Sequence, residues 1–500
     1  MSMVAHGYGI AAFSSPNIIF SNIIWGYIVR LIPTFDGVLG YSTATFGVLI
    51  ISGTAIFAGL MKLGAHPVKS ALVLILIFTR PILFPQFTLN AGLLMVAAII
   101  CFHLYSRTTS LVALVIGCVL AYLSYLVRSQ EFLLVLLVAL PLLPWKLLKK
   151  TRAAKFALAI TAFAIVLSAI TDYKAYQSLD WQAYNQLNPA RAHFTDFGAG
   201  QQLKNRPDIL DEHNYSQNDI NLITNWFFVD PDIANPGKLN SMLEKLGPLP
   251  IQSNSLTNAW IGVNTIIHPN LLPLIIAALI LFVCCPSRKY LVTACLCLAA
   301  IFCLGLLGRP GVLRVYMPLA SLLVIVPFLS TRKNNIWRER LALAAIFLIV
   351  AFNTYTVYAQ SKAFEASSKQ INQGLSDFPP QSLVVWGAGF PFEAAYAPLT
   401  PLASSLRLYG LGVFTLAPFS VASQDQKNGD GIIDLLKKGI AIPIVGTEQN
   451  FASLGKYCEE HLNRKLMPYK PQTIDQVQVT WIRCEAGSTL GINQQRTTNK

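Results

Sequence analysis

The chain has 500 residues, of which 54% are hydrophobic and only 12% are charged, and its formal net charge is +14. Soluble globular proteins carry about 25% charged residues, so this composition excludes an ordinary soluble domain and indicates a membrane protein. The basic residues lie mainly in short loops between apolar runs. That pattern is a topology signal, so the positive charge does not indicate a nucleic-acid surface.

Ten apolar runs could each form a transmembrane helix, which needs about 20 mostly apolar residues. We predict spans near 43–63, 68–85, 88–104, 109–127, 131–147, 153–171, 263–284, 289–307, 313–330 and 340–359. A further run, PNIIFSNIIWGYIVRLIP at 16–33, is short and contains two Asn; it could span the membrane or lie in the interface as an amphipathic helix. The fold class predicted is an α-helical polytopic membrane protein with about 10–11 spans.

The basic residues also predict the orientation of these spans. One alternate set of loops contains fourteen Lys or Arg residues, among them Arg332 and Lys333, and a single acidic residue. The opposite set has few basic residues, namely Arg80, Arg128, Arg309 and Arg314. By the positive-inside rule the first set is cytoplasmic. We therefore expect a multi-pass protein of the cytoplasmic (inner) membrane, with the polar segment 172–262 and the C-terminal region 360–500 both extracytoplasmic.

The two polar segments differ in pattern. Segment 172–262 reads as mostly helical, with turns at NRPD, DPD and NPGK. The C-terminal region alternates strand-like runs (QSLVVWG, LGVFTLA, GIAIPIVG and QVQVTWIRC) with helix-like runs (DGIIDLLKKG and NFASLGKYCEEHLN), which predicts a small α/β domain. The predicted organisation is an outer amphipathic segment or first span at 1–42, membrane helices at 43–171 and 263–359, an extracytoplasmic loop domain at 172–262 and an α/β domain at 360–500.

The four arginines on the predicted outer side are the first candidate site residues. An ionisable group near membrane depth is costly and is a functional hypothesis by default. All four are Arg, which suits bidentate binding of phosphate or carboxylate. We therefore predict that Arg80, Arg128, Arg309 and Arg314 bind a substrate or lipid-linked phosphate. The alternatives are that they snorkel, pair with Glu131 or a helix C-terminus, or bind phospholipid.

Two stretches of the loop segment interleave aromatic residues with Asn, Arg and Asp: WQAYNQLNPARAHFTDF (181–197) and EHNYSQNDINLITNWFFVD (212–230). Apolar ring faces can stack on a sugar, while amides and carboxylates bond its hydroxyls. The predicted sugar-binding residues are Asn188, Arg191, Asp196, Asn218, Asp219 and Trp226. The alternative is a packed helical loop in which SQND caps a helix that begins near Ile220.

Cysteine and histidine spacing excludes the common metal motifs, and no P-loop is present, which makes an ATP-driven transporter an unfavoured interpretation. No cofactor is certain, and a divalent metal ion stays open. Cys458 and Cys484 stand apart in the C-terminal region; they could form a disulfide if that region is extracytoplasmic, or remain two buried thiols.

The layout resembles that of GT-C class glycosyltransferases, multispan enzymes that take sugars from polyprenyl-phosphate donors outside the cytoplasmic membrane. More closely, the chain is similar to a family of bacterial polytopic membrane proteins of this type, found with surface-polysaccharide functions. The residues that carry the resemblance are AHGYGIAAFSSPNIIFSNIIWG (5–26), RPILFPQFT (80–88), YLVRSQEFLLVLLVALP (125–141), YNQLNPARAHFTDF (184–197) and YSQNDINLITNWFFVD (215–230).

The resemblance also implies a first span and an adjacent acidic pair ahead of the segment that matches. This sequence begins after them, so the hypothesis is that Met1 is an internal methionine of a longer protein. The acid left near the first predicted outer loop is Asp36. In an inverting transfer a carboxylate acts as general base and removes the proton of the acceptor hydroxyl, and Asp36 is the substitute candidate for that role.

The function predicted from these observations is the transfer of a sugar from a polyprenyl-phosphate-linked donor to a surface glycan or lipid-linked acceptor. The partners expected are that lipid-linked sugar and membrane lipids, with no nucleic acid. The first alternative is an O-antigen- or capsule-type polysaccharide polymerase or ligase, which needs no catalytic acidic pair. The second is a non-enzymatic transport or assembly protein, which the nearly uncharged spans disfavour.

Overall fold

The computed structural model describes residues 1–247, 255–284, 286–329, 336–402, 406–474 and 477–486. The chain is mostly helical, with one small sheet near its C-terminus. The basic residues Arg332 and Lys333, on which part of the predicted orientation rests, lie outside the described residues.

The N-terminal segment contains two short helices, α1 (Ser2–His6) and α2 (Ile23–Leu31). The candidate span at 16–33 is helical over only the nine residues of α2. Nine residues rise about 14 Å, which is roughly half of a hydrocarbon core, so α2 by itself is too short to cross a membrane. The Asn22 side chain accepts a hydrogen bond from the Ile24 N–H and caps the helix.

Each predicted span contains helical residues, although not always one continuous helix. Their bounds are α3 (Gly40–Lys62), α4 (Pro67–Leu83), α5 (Phe87–Thr108), α6 (Leu111–Val127), α7 (Ser129–Ala139), α8 (Trp145–Lys150), α9 (Arg152–Ala175), α10 (Gln182–Thr195), α11 (Ala199–Leu203), α12 (Pro207–Glu212), α13 (Gln217–Thr224), α14 (Pro236–Leu246), α15 (Ser255–Asn264), α16 (Leu272–Cys284), α17 (Arg288–Leu306), α18 (Leu313–Ile325) and α19 (Ile336–Gly374). Helices α10–α14 lie in the loop segment. Among the described residues, α3, α5, α9, α17 and α19 are long and apolar enough to cross a membrane.

Three predicted spans differ from the helices observed. The span at 131–147 is divided, because α7 ends at Ala139 and α8 begins at Trp145. The span at 263–284 is broken, because α15 and α16 meet at a bend of 78°. The span at 340–359 is part of α19, which has 39 residues and extends for about 58 Å. The second half of α19 therefore leaves the helical region and enters the C-terminal domain, so the boundary predicted at residue 360 falls inside a continuous helix.

Helix α5 is the centre of the helical region. Its residues from Thr88 to Tyr105 are all buried, because α3, α6, α7 and α18 pack around it. Helix α9 is the opposite case: only Ala154 and Ser168 are buried along its 24 residues. An apolar helix that is exposed on almost every face indicates a surface that meets lipid or another protein.

The C-terminal region is a small α/β domain, as the alternating pattern predicted. Its strands are β1 (Leu383–Trp386), β2 (Leu408–Leu411), β3 (Ile442–Val445), β4 (Arg464–Ile474) and β5 (Val477–Ala486), and its helices are α20 (Phe392–Ala395), α21 (Val421–Lys427), α22 (Ile432–Lys438) and α23 (Glu448–Leu462). The prediction of a strand at LGVFTLA is wrong, because β2 ends at the first residue of that run and turns follow. The strand order is β2-β1-β3-β5-β4. Strand β1 is parallel to β2 and β3, and β5 is antiparallel to β3 and β4.

The loop segment and the α/β domain share one hydrophobic core. Residues of α10–α14 and residues of the sheet belong to the same buried cluster. Polar contacts join them as well: Trp386 Nε1 donates to the Asn225 carbonyl, and Tyr457 Oη donates to Asp230 Oδ2 at 2.7 Å. The two polar segments therefore form a single body, although they are separated in sequence by the helices α15–α19.

That shared body packs on one end of the helical region. Arg309, just after α17, contacts Asp196 of the loop segment, and Phe84 at the end of α4 packs edge-on against Phe364 of α19. The N-terminal segment lies at the same end and reaches the sheet, where the Leu408 N–H donates to the Gly9 carbonyl. Gly9 has φ +61, a left-handed conformation that favours glycine.

Candidate functional site

A cavity of about 550 Å³ lies between the α/β domain and this end of the helices. The domain contributes the carboxyl ends of β1 and β2, through Val385, Gly387 and Leu411. The helices contribute the beginnings of α3, α5 and α18, and the N-terminal segment closes a further side. Ligands of open α/β sheets bind at the carboxyl ends of parallel strands, so this cavity is the candidate site.

Aromatic rings contribute to the cavity wall. Six rings line it, those of Tyr8, Tyr41, Phe87, Phe392, Tyr396 and Phe414. Among the described residues, the charged side chains in the wall are Arg314 and Glu393. Rings for stacking combined with few charged groups suit a ligand that has both a sugar or lipid part and an anionic group.

Arg314 is exposed at the beginning of α18 and has no hydrogen bond or ion pair with any residue that the structure describes. Arg128 lies close to it, where the chain turns between α6 and α7, and its guanidinium lies over the rings of Phe87 (5.0 Å) and Phe20 (5.7 Å). Arg128 is within electrostatic range of both Arg314 and Arg309. Arg314 thus lines the cavity, Arg128 lies against Phe87 of its wall, and Arg309 is within electrostatic range of Arg128.

Glu131 is a buried carboxylate next to this group of arginines. It lies in the first turn of α7, is 2% exposed, and is within electrostatic range of Arg128 and Arg314. Its Oε1 atom has no hydrogen-bond partner among the described residues. The sequence leaves open that the arginines pair with Glu131. In the structure Glu131 is within electrostatic range of Arg128 and Arg314 but forms no direct ion pair with either.

Arg80, the fourth arginine, lies apart from this group. Its Nη1 donates to Asn270 Oδ1 (3.1 Å) and to Gln360 Oε1 (2.9 Å), and its guanidinium lies over the Phe84 ring. These partners come from the α15–α16 bend and from α19, which pack on α4. Arg80 joins three helices, and it does not line the cavity.

Four of the predicted sugar-binding residues form a second group around Arg191. The Arg191 guanidinium donates twice to Asn188 Oδ1 (3.0 and 2.7 Å) and lies 4.7 Å from the centroid of the Trp226 ring. Asp196 forms an ion pair with Arg309, whose Nη2 lies 3.4 Å from Asp196 Oδ2. Burial lowers the pKa of the Arg191 guanidinium, and the neighbouring Asp196 carboxylate opposes that shift.

Arg309 connects the two groups. It is within electrostatic range of Arg128 on the cavity side and of Arg191 on the loop side. The fold thus brings Arg309, predicted from the membrane loops, close to Arg191 and Asp196, predicted from the polar segment. The result is a cationic region that extends from the cavity wall to the loop segment.

The structure places Asn218 and Asp219 elsewhere, in the interface between α13 and α23. Asp219 and Ser216 form a capping box at the beginning of α13, and Asn218 Nδ2 donates to the Ser453 carbonyl at 3.0 Å. Both residues are at most 5% exposed. In the structure SQND therefore caps a helix, as the alternative interpretation states. Asn218 and Asp219 do not lie with the other four predicted sugar-binding residues.

Asp36 lies in an exposed two-residue turn between Phe35 and Val38, which pair through their backbones. Its φ is +47 and that of Gly37 is +77, as in a tight Asp-Gly turn. Asp36 does not line the cavity. Glu393, which does, lies in the short helix α20, which carries no motif; its only sequence signal is its place shortly after β1 and Gly387.

The Sγ atoms of Cys458 and Cys484 are bonded as a disulfide, which links α23 to β5 in the core of the domain. The Cα atoms are 6.2 Å apart, within the usual range.

The chain matches no protein-family model, no curated protein sequence and no solved structure.

Proposed function

We propose that this protein is a membrane glycosyltransferase that moves a sugar from a polyprenyl-phosphate-linked donor to a surface glycan or lipid-linked acceptor at the outer face of the cytoplasmic membrane. The observation that carries the proposal is a cavity of about 550 Å³ whose wall contains Arg314 and six aromatic rings, with Arg128 against the Phe87 ring of that wall and Arg309 within electrostatic range of Arg128. A lipid phosphate held at the ends of apolar helices would meet this cationic region, while its sugar enters the cavity.

The arginines suit this role because they are close to one another and lack full charge compensation. Arg314 has no ion pair among the described residues, and Arg309 has one long, half-exposed ion pair with Asp196. Like charges that are held together repel each other, so an anion that neutralises them binds favourably. A guanidinium can bind phosphate through two parallel hydrogen bonds.

The chemistry requires few further groups. The acceptor hydroxyl oxygen attacks the anomeric carbon of the donor, the bond from that carbon to the phosphate oxygen breaks, and the polyprenyl phosphate leaves with the bonding electrons. Glu393, the carboxylate in the described cavity wall, is placed to take the hydroxyl proton. The arginines stabilise the negative charge that develops on the leaving phosphate.

A polysaccharide polymerase or ligase is the second candidate. It is favoured by the scarcity of carboxylates, since Glu393 is alone in the described wall and is exposed. Such an enzyme would use the same arginines on a lipid-linked polysaccharide. The two candidates differ in product, because a polymerase or ligase transfers a whole glycan unit and changes chain length or attachment.

The test is the binding of undecaprenyl phosphate by the purified full chain in nanodiscs, together with the glycan profile of cells that depend on each variant. Alanine at Arg128, Arg309 or Arg314 should each weaken binding about 10- to 100-fold, because each removes a charge-assisted contact worth about 1.5–3 kcal/mol. Arg80→Ala is the matched control, since Arg80 lies outside the cavity, and it should bind normally. Wild-type binding by all three cavity variants would overturn the proposal.

A further inference from the structure

We propose that Asp219, Glu460 and His461 bind a divalent transition-metal ion, of which Zn²⁺ is the representative, at the interface between the loop segment and the α/β domain. One ligand atom from each residue lies within 4.8 Å of the other two. The residues come from two elements, α13 and α23, that are far apart in sequence. This site is independent of the cavity and of the function proposed for it.

Two of the three ligands are already fixed in direction. Asp219 Oδ2 accepts a hydrogen bond from the Ser216 N–H at 2.9 Å, which leaves Oδ1 turned toward His461 Nε2 at 2.8 Å. The His461 ring stacks on Tyr457, with the ring centroids 5.0 Å apart. Ligands that are held in place by surrounding contacts lose little freedom when they bind a metal ion.

Glu460 is the ligand that can adjust. Its Oε2 accepts a hydrogen bond from Ser216 Oγ at 2.9 Å, and its side chain is exposed. Ligand atoms around a four-coordinate zinc ion are separated by about 3.3 Å, given bonds of about 2.0 Å. A change of the exposed Glu460 rotamer, together with a small widening of the 2.8 Å contact between Asp219 Oδ1 and His461 Nε2, would bring the three atoms to that spacing.

The chemistry of the ligands selects the class of metal. One imidazole nitrogen with two carboxylate oxygens is typical of zinc and related ions, whereas Mg²⁺ and Ca²⁺ prefer oxygen ligands alone. Three protein ligands leave a coordination position for water. Bound there, the ion would tie α13, which belongs to the loop segment, to α23, which the disulfide ties to the sheet.

The experiment uses the purified full chain without a histidine tag, stripped with EDTA and titrated with Zn²⁺ alone. Calorimetry should show one site of this kind per chain, and the ion should raise the thermal unfolding temperature. His461→Ala should abolish this site. Glu460→Gln should weaken it at least tenfold, because the amide keeps an acceptor for Ser216 but loses the charge. Glu459→Gln, the neighbouring exposed carboxylate, is the matched control and should bind as the wild type does.

Two results would overturn the proposal. If the wild type binds no Zn²⁺, the contact between Asp219 and His461 is an ion pair and nothing more. If Zn²⁺ binds but His461→Ala and Glu460→Gln bind it unchanged, the ion lies elsewhere on the chain. The retention of undecaprenyl phosphate binding after EDTA treatment separates this test from that of the arginines.

Discussion

The guanidinium carbon of Arg191 lies 4.7 Å from the centroid of the Trp226 indole ring, and the two residues belong to different parts of the loop segment. Trp226 has φ +70, a conformation that non-glycine residues seldom adopt. Arg191 is held by Asn188 and Thr195. Both partners are thus fixed by their surroundings, and their contact organises the group of residues that we associate with sugar binding.

The first prediction is a direct energetic coupling between these two side chains. In a double-mutant cycle with Arg191→Met and Trp226→Leu, the free energies of unfolding should be coupled by about 0.5–2 kcal/mol, the range for a cation–π pair that is partly desolvated. Chemical unfolding in detergent measures the four proteins. The control cycle pairs Arg191→Met with Phe228→Leu, because the Phe228 ring packs edge-on against Trp226 while the Arg191 guanidinium lies over the Trp226 ring. Equal coupling in both cycles would contradict the prediction.

The second prediction concerns Gly92, in the buried centre of α5. A Cβ atom there would lie 2.4 Å from the ring atoms of Pro318 and 3.2 Å from Glu131 Oε1. Because the proline ring cannot move aside, Gly92→Ala should destabilise the protein by about 1–3 kcal/mol, as overpacking of a core does. Gly47→Ala on α3 meets nothing within 4 Å and should be neutral or stabilising. Thermal unfolding of both variants checks this, and equal melting temperatures would show that α5 and α18 are packed differently.

The third prediction concerns the disulfide. Cys458 and Cys484 are 26 residues apart and fully buried, and closing a loop of this length stabilises a domain by about 3 kcal/mol. The double variant Cys458→Ser with Cys484→Ser should therefore unfold at a clearly lower temperature. Cys295→Ser removes an exposed free thiol and should not. Mass spectrometry should show that Cys458 and Cys484 resist alkylation in denaturant unless a reductant is added; their modification in denaturant without reductant would contradict the assignment.

Helices and strands with a clear local hydrophobic pattern could be predicted from the sequence. Elements whose presence or bounds depend on tertiary contacts could not. The strands around Leu383, Ile442 and Val477 were evident from their β-branched residues. Strand β4 was not predicted, because two prolines and several basic residues resemble a loop. These residues are tolerated there because β4 is an edge strand among the strands that the structure describes. The bend between α15 and α16 likewise depends on packing.

The same division applies to the candidate site. Arg128, Arg309 and Arg314 could be selected from sequence because arginine is rare in the predicted outer loops. Their closeness to one another could not, since it depends on how α6, α17 and α18 pack. Asp219 was selected for its type and spacing, yet its local capping role dominates. Its approach to His461 joins residues 242 positions apart, which no sequence motif describes.

The last prediction decides which carboxylate acts as the base. If Glu393 takes the proton of the acceptor hydroxyl, Glu393→Gln should lower the rate of sugar transfer about 10²- to 10⁴-fold, the usual contribution of a general base. Binding of undecaprenyl phosphate should be unchanged, because the arginines hold the phosphate. Glu393→Asp should keep part of the rate, since the carboxylate is retained at a shorter reach.

Asp36→Asn is the matched comparison for this assignment. Asparagine tolerates the positive φ of this turn, so the variant should fold, and because Asp36 lies outside the cavity wall it should transfer sugar at the wild-type rate. The opposite pattern, an inactive Asp36→Asn and a fully active Glu393→Gln, would return the base to the turn between Phe35 and Val38. That result would require the turn to move into the cavity when substrate binds, because its present position is exposed. Full activity in both variants would favour the polymerase or ligase, which needs no catalytic acidic pair.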